Sequence, residues 1–200
     1  MQNPPLHHLP RLERARYQAF AAVHWRLRVE PSSPGWLDER FHFQFRELLT
    51  HACARERLYC PAYCLMPDHL HLMWLGLALE SDQLNAMKFL RLHLNRLLAG
   101  DTLVSGAGNS AKRPWCLQPQ AFDHVLREEE WKKNAFAKVC FYILANPVRA
   151  NLVKREIDWP YLGATIPGYP DLHPMREDYW ELFWKLYAKF REPPPLDAKS

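Results

Sequence analysis

The sequence predicts an α+β domain, an antiparallel sheet with helices packed on one face. Three observations carry that prediction. Strand-like and helix-like segments follow one another in the order β, α, β, β, α, β, and then a further helix. The two central strand segments are separated only by a Pro-Asp pair, which makes them a hairpin and the sheet antiparallel. The helical segments carry apolar stripes, which need a surface to cover them. This βαββαβ order is the ferredoxin-like arrangement.

Residues 1–15 are proline-bearing and read as a flexible lead-in. "RYQAFAAVHWRLRVE" (16–30) is rich in aromatic and β-branched residues and suits a first strand, closed by the turn signal "PSSPG". "WLDERFHFQFRELLTHACARER" (36–57) has helical length, with Leu37, Phe41, Phe45, Leu48 and Leu49 about one turn apart. "LYCPAYCLM" (58–66) and "HLHLMWLGL" (69–77) are the hairpin strands. A second helix runs through "SDQLNAMKFLRLHLNRLLAG" (81–100), with Ser81 as N-cap and an apolar stripe through Leu84, Met87, Leu94, Leu97 and Leu98. A polar loop (101–114) leads to "QAFDHVL" (120–126), a fourth strand. "REEEWKKNAFAKVCFYILANP" (127–147) is a helix whose first-turn acids suit its dipole. Beyond residue 163, "PGYPDLHP" is a turn-rich connector. "REDYWELFWKLYAKF" (176–190) forms an amphipathic helix with Trp180, Phe183, Trp184 and Tyr187, expected to dock on the domain core.

Hydrophobic residues at 48% and aromatics at 13% exclude a disordered chain. The net charge of +4 permits a nucleic-acid partner without requiring one. Five cysteines lack framework spacing, and "MQNPPLHHLPRLERARYQ" lacks the apolar segment of a secretory signal. The expectation is a cytoplasmic protein with free thiols. No stretch approaches the ~18 apolar residues of a membrane span.

"CLMPDHLHLMW" (64–74) sets two histidines inside an apolar run. Strand alternation points His69 and His71 to one face, ~7 Å apart, with Leu70, Leu72 and Trp74 facing the helices. Two neutral imidazoles on one face suit a divalent cation, and equally suit a half-exposed strand whose histidines are satisfied structurally. On the later helix, Tyr142 and Asn146 are four residues apart and share a face, separate from the stripe of Phe136, Cys140, Ile143 and Leu144. A phenol is a potential nucleophile and an amide oxygen a hard ligand. Alternatively, Tyr142 is an amphipathic boundary residue and Asn146 a C-terminal cap, since Pro147 puts Asn146 at the helix end.

"AYCLMPDHLHLMW" followed by "YILANPVRANLV" resembles the REP-associated tyrosine transposases, relatives of the single-tyrosine HUH transposases. "FDHVLREEE" (122–130) and "MKFLRLHLNR" (87–96) extend the similarity, which covers roughly residues 16–163. The resemblance implies a catalytic domain over 16–163 and a C-terminal extension over 164–200. It implies that His69 and His71 bind Mg²⁺ or Mn²⁺, with Asn146 as a third contributor and Tyr142 as the nucleophile. It further implies cleavage of single-stranded or hairpin DNA at palindromic repeats through a 5′-phosphotyrosine, by a monomer or homodimer. Lys88, Arg91, Lys112, Arg113 and Arg149 are candidate DNA-phosphate contacts, with Lys132 and Lys133 as further cations. The chain departs from the family where "WCLQPQAF" replaces the usual tryptophan–glutamine pair before the fourth strand.

Two other readings stand beside this one. The first is a non-catalytic module of the same fold that binds structured DNA. The second is a structural zinc site from Cys60, Cys64, His69 and His71, with both cysteines on one face of their strand.

Overall fold

The computed structural model describes residues 12–32, 34–100, 115–131 and 133–193. A 3₁₀ turn (Arg14–Tyr17) precedes β1 (Ala22–Glu30), and α1 (Glu39–Arg55) begins where the Asp38 side chain accepts from the Phe41 amide at 2.7 Å. β2 (Leu58–Leu65) and β3 (His69–Gly76) form the hairpin, closed by the Met66 amide donating to the His69 carbonyl at 2.7 Å. Then come α2 (Gln83–Leu98), the short strand β4 (Cys116–Leu117), β5 (Phe122–Val125), α3 (Glu128–Trp131), α4 (Ala135–Leu144) and α5 (Asn146–Arg149). β6 (Leu162–Thr165) and α6 (Tyr179–Phe190) complete the order. All strand pairings are antiparallel, in the order β4–β1–β3–β2–β6, with β5 also pairing β1. The fold is α+β, as the sequence predicts. No described helix is long and apolar enough to cross a membrane.

Two hydrophobic clusters flank the sheet. Trp25, Leu27, Leu70, Leu72 and Trp74 pack with the buried faces of α1 and α2. On the opposite side Tyr59, Ala62, Cys64 and Met73 pack with Phe136, Cys140, Ile143 and Leu144 of α4 and with Tyr179 and Phe183 of α6. The second face is thus covered by the tyrosine-bearing helix and the C-terminal helix. β2 reflects this burial, since every one of its residues is buried, and continuous apolar character is the mark of a strand covered on both sides.

Several local expectations are corrected. β1 begins at Ala22 because the chain before it turns, with Ala19 in the left-handed region at φ 53°. Asp82, not Ser81, caps α2, accepting from the Leu84 and Asn85 amides at 3.0 Å. Ser81 instead receives the Ala78 amide at 3.1 Å and donates to the Arg57 carbonyl at 2.8 Å. The helix expected over 127–147 is broken at Asn134, whose φ of 58° leaves the helical region. The expectation that Cys60 and Cys64 share a face is overturned by an irregularity in β2 between Tyr59 and Ala62. It turns Cys60 into the α1/α2 core and leaves Cys64 in the α4 core. Burial raises both thiols, Cys64 to about 12. Opposed, protonated sulfurs are a poor start for a zinc site.

α1 is tied to the sheet by His42, which shares a 3.0 Å hydrogen bond with the Tyr63 hydroxyl. Burial first, then the charges of Arg46 and His173, lower the His42 pKa to about 4. In the unfolded chain the same imidazole titrates near 6.5, so below that pH the unfolded state binds the extra proton. The His42 contribution is therefore flat above pH 6.5 and falls by about 1.4 kcal/mol per pH unit between 6.5 and 4. Urea unfolding at pH 7 and pH 5 is expected to show a smaller pH loss in His42→Asn than in the wild type. Equal slopes in the two proteins would refute the assignment.

Candidate functional site

Alternation along β3 sends Leu70, Leu72 and Trp74 into the α1/α2 core and leaves His69 and His71 on the face beneath α4. His71 is 2% exposed and His69 half-buried. The His69 and His71 Nε2 atoms face each other at 3.1 Å. The other nitrogen of each ring is engaged: His69 Nδ1 lies 2.6 Å from Asp68 Oδ1, and His71 Nδ1 lies 2.8 Å from His24 Nε2. A carboxylate can only accept here, so His69 carries its proton on Nδ1 and presents a lone pair at Nε2.

His24 was not anticipated from the sequence. It lies on β1, whose Arg26 is the direct partner of His71, so His24 sits diagonally across the strand pair. The only sequence signal is a lone histidine between the core residues Val23 and Trp25.

Burial lowers all three histidines. His71 falls to about 2, with His24, His69 and Arg26 adding to the effect of burial. His24 falls to about 4 through burial, then His124 and Arg26. For His69, burial outweighs the Asp68 hydrogen bond, which acts the other way. Partial burial would raise the Asp68 carboxyl, but the His69 hydrogen bond and the nearby charges of His69 and Arg28 hold it below its ordinary value. At neutral pH the cluster is therefore three neutral imidazoles beside an ionised carboxylate.

The apolar stripe of α4 docks on the sheet, and Tyr142 emerges at its flank, 38% exposed. Its ring centroid lies 5.8 Å from that of His71 and 6.2 Å from that of His24. The Arg149 guanidinium sits over the Tyr142 ring, 4.6 Å from the centroid, a cation–π contact that orients the phenol. Asn146 opens α5 with Nδ2 donating to the Tyr142 carbonyl at 2.8 Å and facing the Ile143 carbonyl at 3.4 Å. Its amide nitrogen thus closes the end of α4, as a capping residue does.

The fold brings His69, His71, Tyr142 and Arg149 together, with Asn146 one turn beyond the tyrosine. Lys88 is exposed on α2, across the sheet from Tyr142. Arg91 donates to the Gln118 carbonyl at 2.5 Å and the Pro119 carbonyl at 3.0 Å, holding the segment before β5. Lys133 is exposed just before α4. Lys112, Arg113 and Lys132 lie outside the described residues. Among the described residues no group of three His, Cys, Asp or Glu side chains is arranged to hold a metal ion. The cluster instead offers two Nε2 atoms in front, backed by His24 and Asp68.

No protein-family model and no curated protein matches the chain. Four chains of solved structures match it. One is the structure of a REP-associated tyrosine transposase bound to a REP hairpin, 14% identical, with a TM-score of 0.58 over 98% of this chain and 96% of that one. Over nearly its whole length, the chain therefore shares the fold of that transposase.

Proposed function

We propose that the protein is a single-tyrosine DNA strand-cleaving enzyme of the REP-associated transposase kind, acting on single-stranded or hairpin DNA at palindromic repeats. The observation that carries this reading is the Tyr142 ring 5.8 Å from His71, beside two imidazoles whose Nε2 atoms converge. The hairpin bound by the solved transposase of the same fold supports the choice of DNA.

The histidine pair suits a divalent cation, Mg²⁺ or Mn²⁺. Two nitrogens that were to hold one octahedral ion at about 2.1 Å would stand about 3 Å apart. The two Nε2 atoms are 3.1 Å apart. Each ring also has an outer partner that orients it, the Asp68 carboxylate for His69 and the His24 imidazole for His71, and Asp68, which can only accept, sets the His69 tautomer. Asn146, with Nδ2 committed to the end of α4, has Oδ1 left to offer. When bound, the cation supplies Lewis-acid polarisation of the scissile phosphate.

Tyr142 attacks that phosphate: the Oη–P bond forms and the P–O3′ bond breaks. The products are a 5′-phosphotyrosine and a free 3′-hydroxyl, which keeps the phosphodiester energy for rejoining. Partial exposure of Tyr142 gives its departing proton a route to water. Arg149 fixes the ring and adds positive charge beside the phosphate, while Lys88, Arg91, Lys112 and Arg113 stay in this reading as proposed contacts to DNA away from the cleavage point.

The test incubates the protein and Mn²⁺ with single-stranded oligonucleotides from palindromes flanking its gene. The wild type is expected to form a covalent adduct stable on a denaturing gel, and Tyr142→Phe none. An adduct that persists in Tyr142→Phe rules out this nucleophile. Hairpin binding with no wild-type adduct supports the non-catalytic module instead.

A further inference from the structure

The part of the histidine-bearing face that α4 leaves open carries two side chains that the cleavage step does not use. Directly opposed residues on antiparallel strands share a face. The register therefore sets Phe122, Arg26, His71 and Cys64 in one row across β5, β1, β3 and β2. Strands lie ~4.8 Å apart, so Arg26 is one strand spacing from His71 and Phe122 is two. α4 rests on β2 and β3, over Cys64 and His71, and leaves Arg26 and Phe122 uncovered.

The Arg26 guanidinium makes no hydrogen bond or ion pair with any described residue, yet its charge reaches His24, His69 and His71. Arg28, two residues on, is turned aside to the Ser32 hydroxyl at 3.1 Å. That leaves Arg26 as the uncommitted cation beside His71. Phe122 is 50% exposed on the same row. A guanidinium without a carboxylate matches a phosphate, and an open aromatic face beside it matches a base.

We infer that Arg26 and Phe122 form a nucleotide subsite for single-stranded DNA, with a backbone phosphate on Arg26 and its base stacked on Phe122, adjacent to the phosphate at Tyr142. The inference rests on the reading of the site as a DNA-cleaving centre and adds to it where the neighbouring nucleotide goes. The subsite holds the strand across β1 and β5, so that the scissile phosphate falls at the histidine pair.

A fluorescein-labelled oligothymidylate, titrated with the full chain at several salt concentrations and read by anisotropy, tests the subsite. Arg26→Ala is expected to weaken binding and to make log affinity against log salt shallower by about 0.7, the share of one single-strand phosphate. Arg26→Lys keeps the charge and is expected to restore that slope. Phe122→Ala is expected to weaken binding about tenfold with the slope unchanged, and to lose this effect on a probe made of abasic residues. Wild-type affinity and slope in both alanine variants overturn the subsite. The covalent adduct is read in parallel with the palindrome oligonucleotides. Adduct formation alongside unaltered binding in both variants sinks the subsite alone. Altered binding in the variants with no wild-type adduct upholds the subsite and sinks the Tyr142 chemistry alone.

Discussion

His71→Ala is expected to abolish Mn²⁺ binding measured by isothermal titration calorimetry, and with it the covalent DNA adduct. His71 is the buried centre of the cluster, with one nitrogen facing His69 and the other facing His24. Its removal leaves a single front imidazole, and one nitrogen does not make a divalent-cation site. His24→Ala removes only the outer partner that orients His71, and is expected to weaken Mn²⁺ binding about 10–100-fold without abolishing it. The order of the two variants separates direct from indirect roles. Unchanged Mn²⁺ affinity in a folded His71→Ala protein would rule out the histidine pair as the metal site. An effect of His24→Ala equal to that of His71→Ala would make His24 a ligand and not a support.

The largest structural effect is expected at Gly76. This residue ends β3, pairs with Leu58 across the hairpin, and lies against the turn that precedes β1. A Cβ here would stand 1.7 Å from the Ala19 carbonyl oxygen and 2.9 Å from its carbonyl carbon. Neither side has room to yield. The Ala19 amide is bound to the Ser81 carbonyl at 2.9 Å, Gln18 bridges to Asp82, and the Arg191 guanidinium covers the Phe20 ring at 4.4 Å. On the other side the Gly76 amide donates to the Ala21 carbonyl at 3.1 Å. Gly76→Ala is therefore expected to cost about 3 kcal/mol or more, at or above the upper end of ordinary overpacking. For a chain of this size that lowers Tm by about 6–12 °C. A variant that melts within about 2 °C of the wild type would show that the turn can move.

The features legible in the sequence are those that repeat. The alternation His69-Leu70-His71-Leu72 sets the face of β3, and helical spacing picks out the buried stripe of α4 with Tyr142 beside it. The features that escaped are single residues whose meaning depends on a partner far along the chain. Nothing in "VHWRLR" says that His24 will meet His71, because that contact is set by the register between β1 and β3. The irregularity that parts Cys60 from Cys64 sits at a Pro61 that an uninterrupted strand reading passes over. Asn134 reads as an ordinary helix residue until its backbone turns left-handed. β6 has only four residues and becomes a strand because β2 offers it an edge.

The packing of α6 has a consequence for when the site takes shape. Phe136 of α4 stacks with Phe183 and lies 5.2 Å from Trp184, while Phe141, next to Tyr142, meets Trp180 at 5.8 Å. During synthesis the sheet and its histidines emerge well before these aromatic partners. Until residues 179–190 are made, α4 lacks the aromatic cover that Trp180, Phe183 and Trp184 give it. The last support of the Tyr142 helix is thus added at the end of synthesis, after the strands that carry His24, His69 and His71.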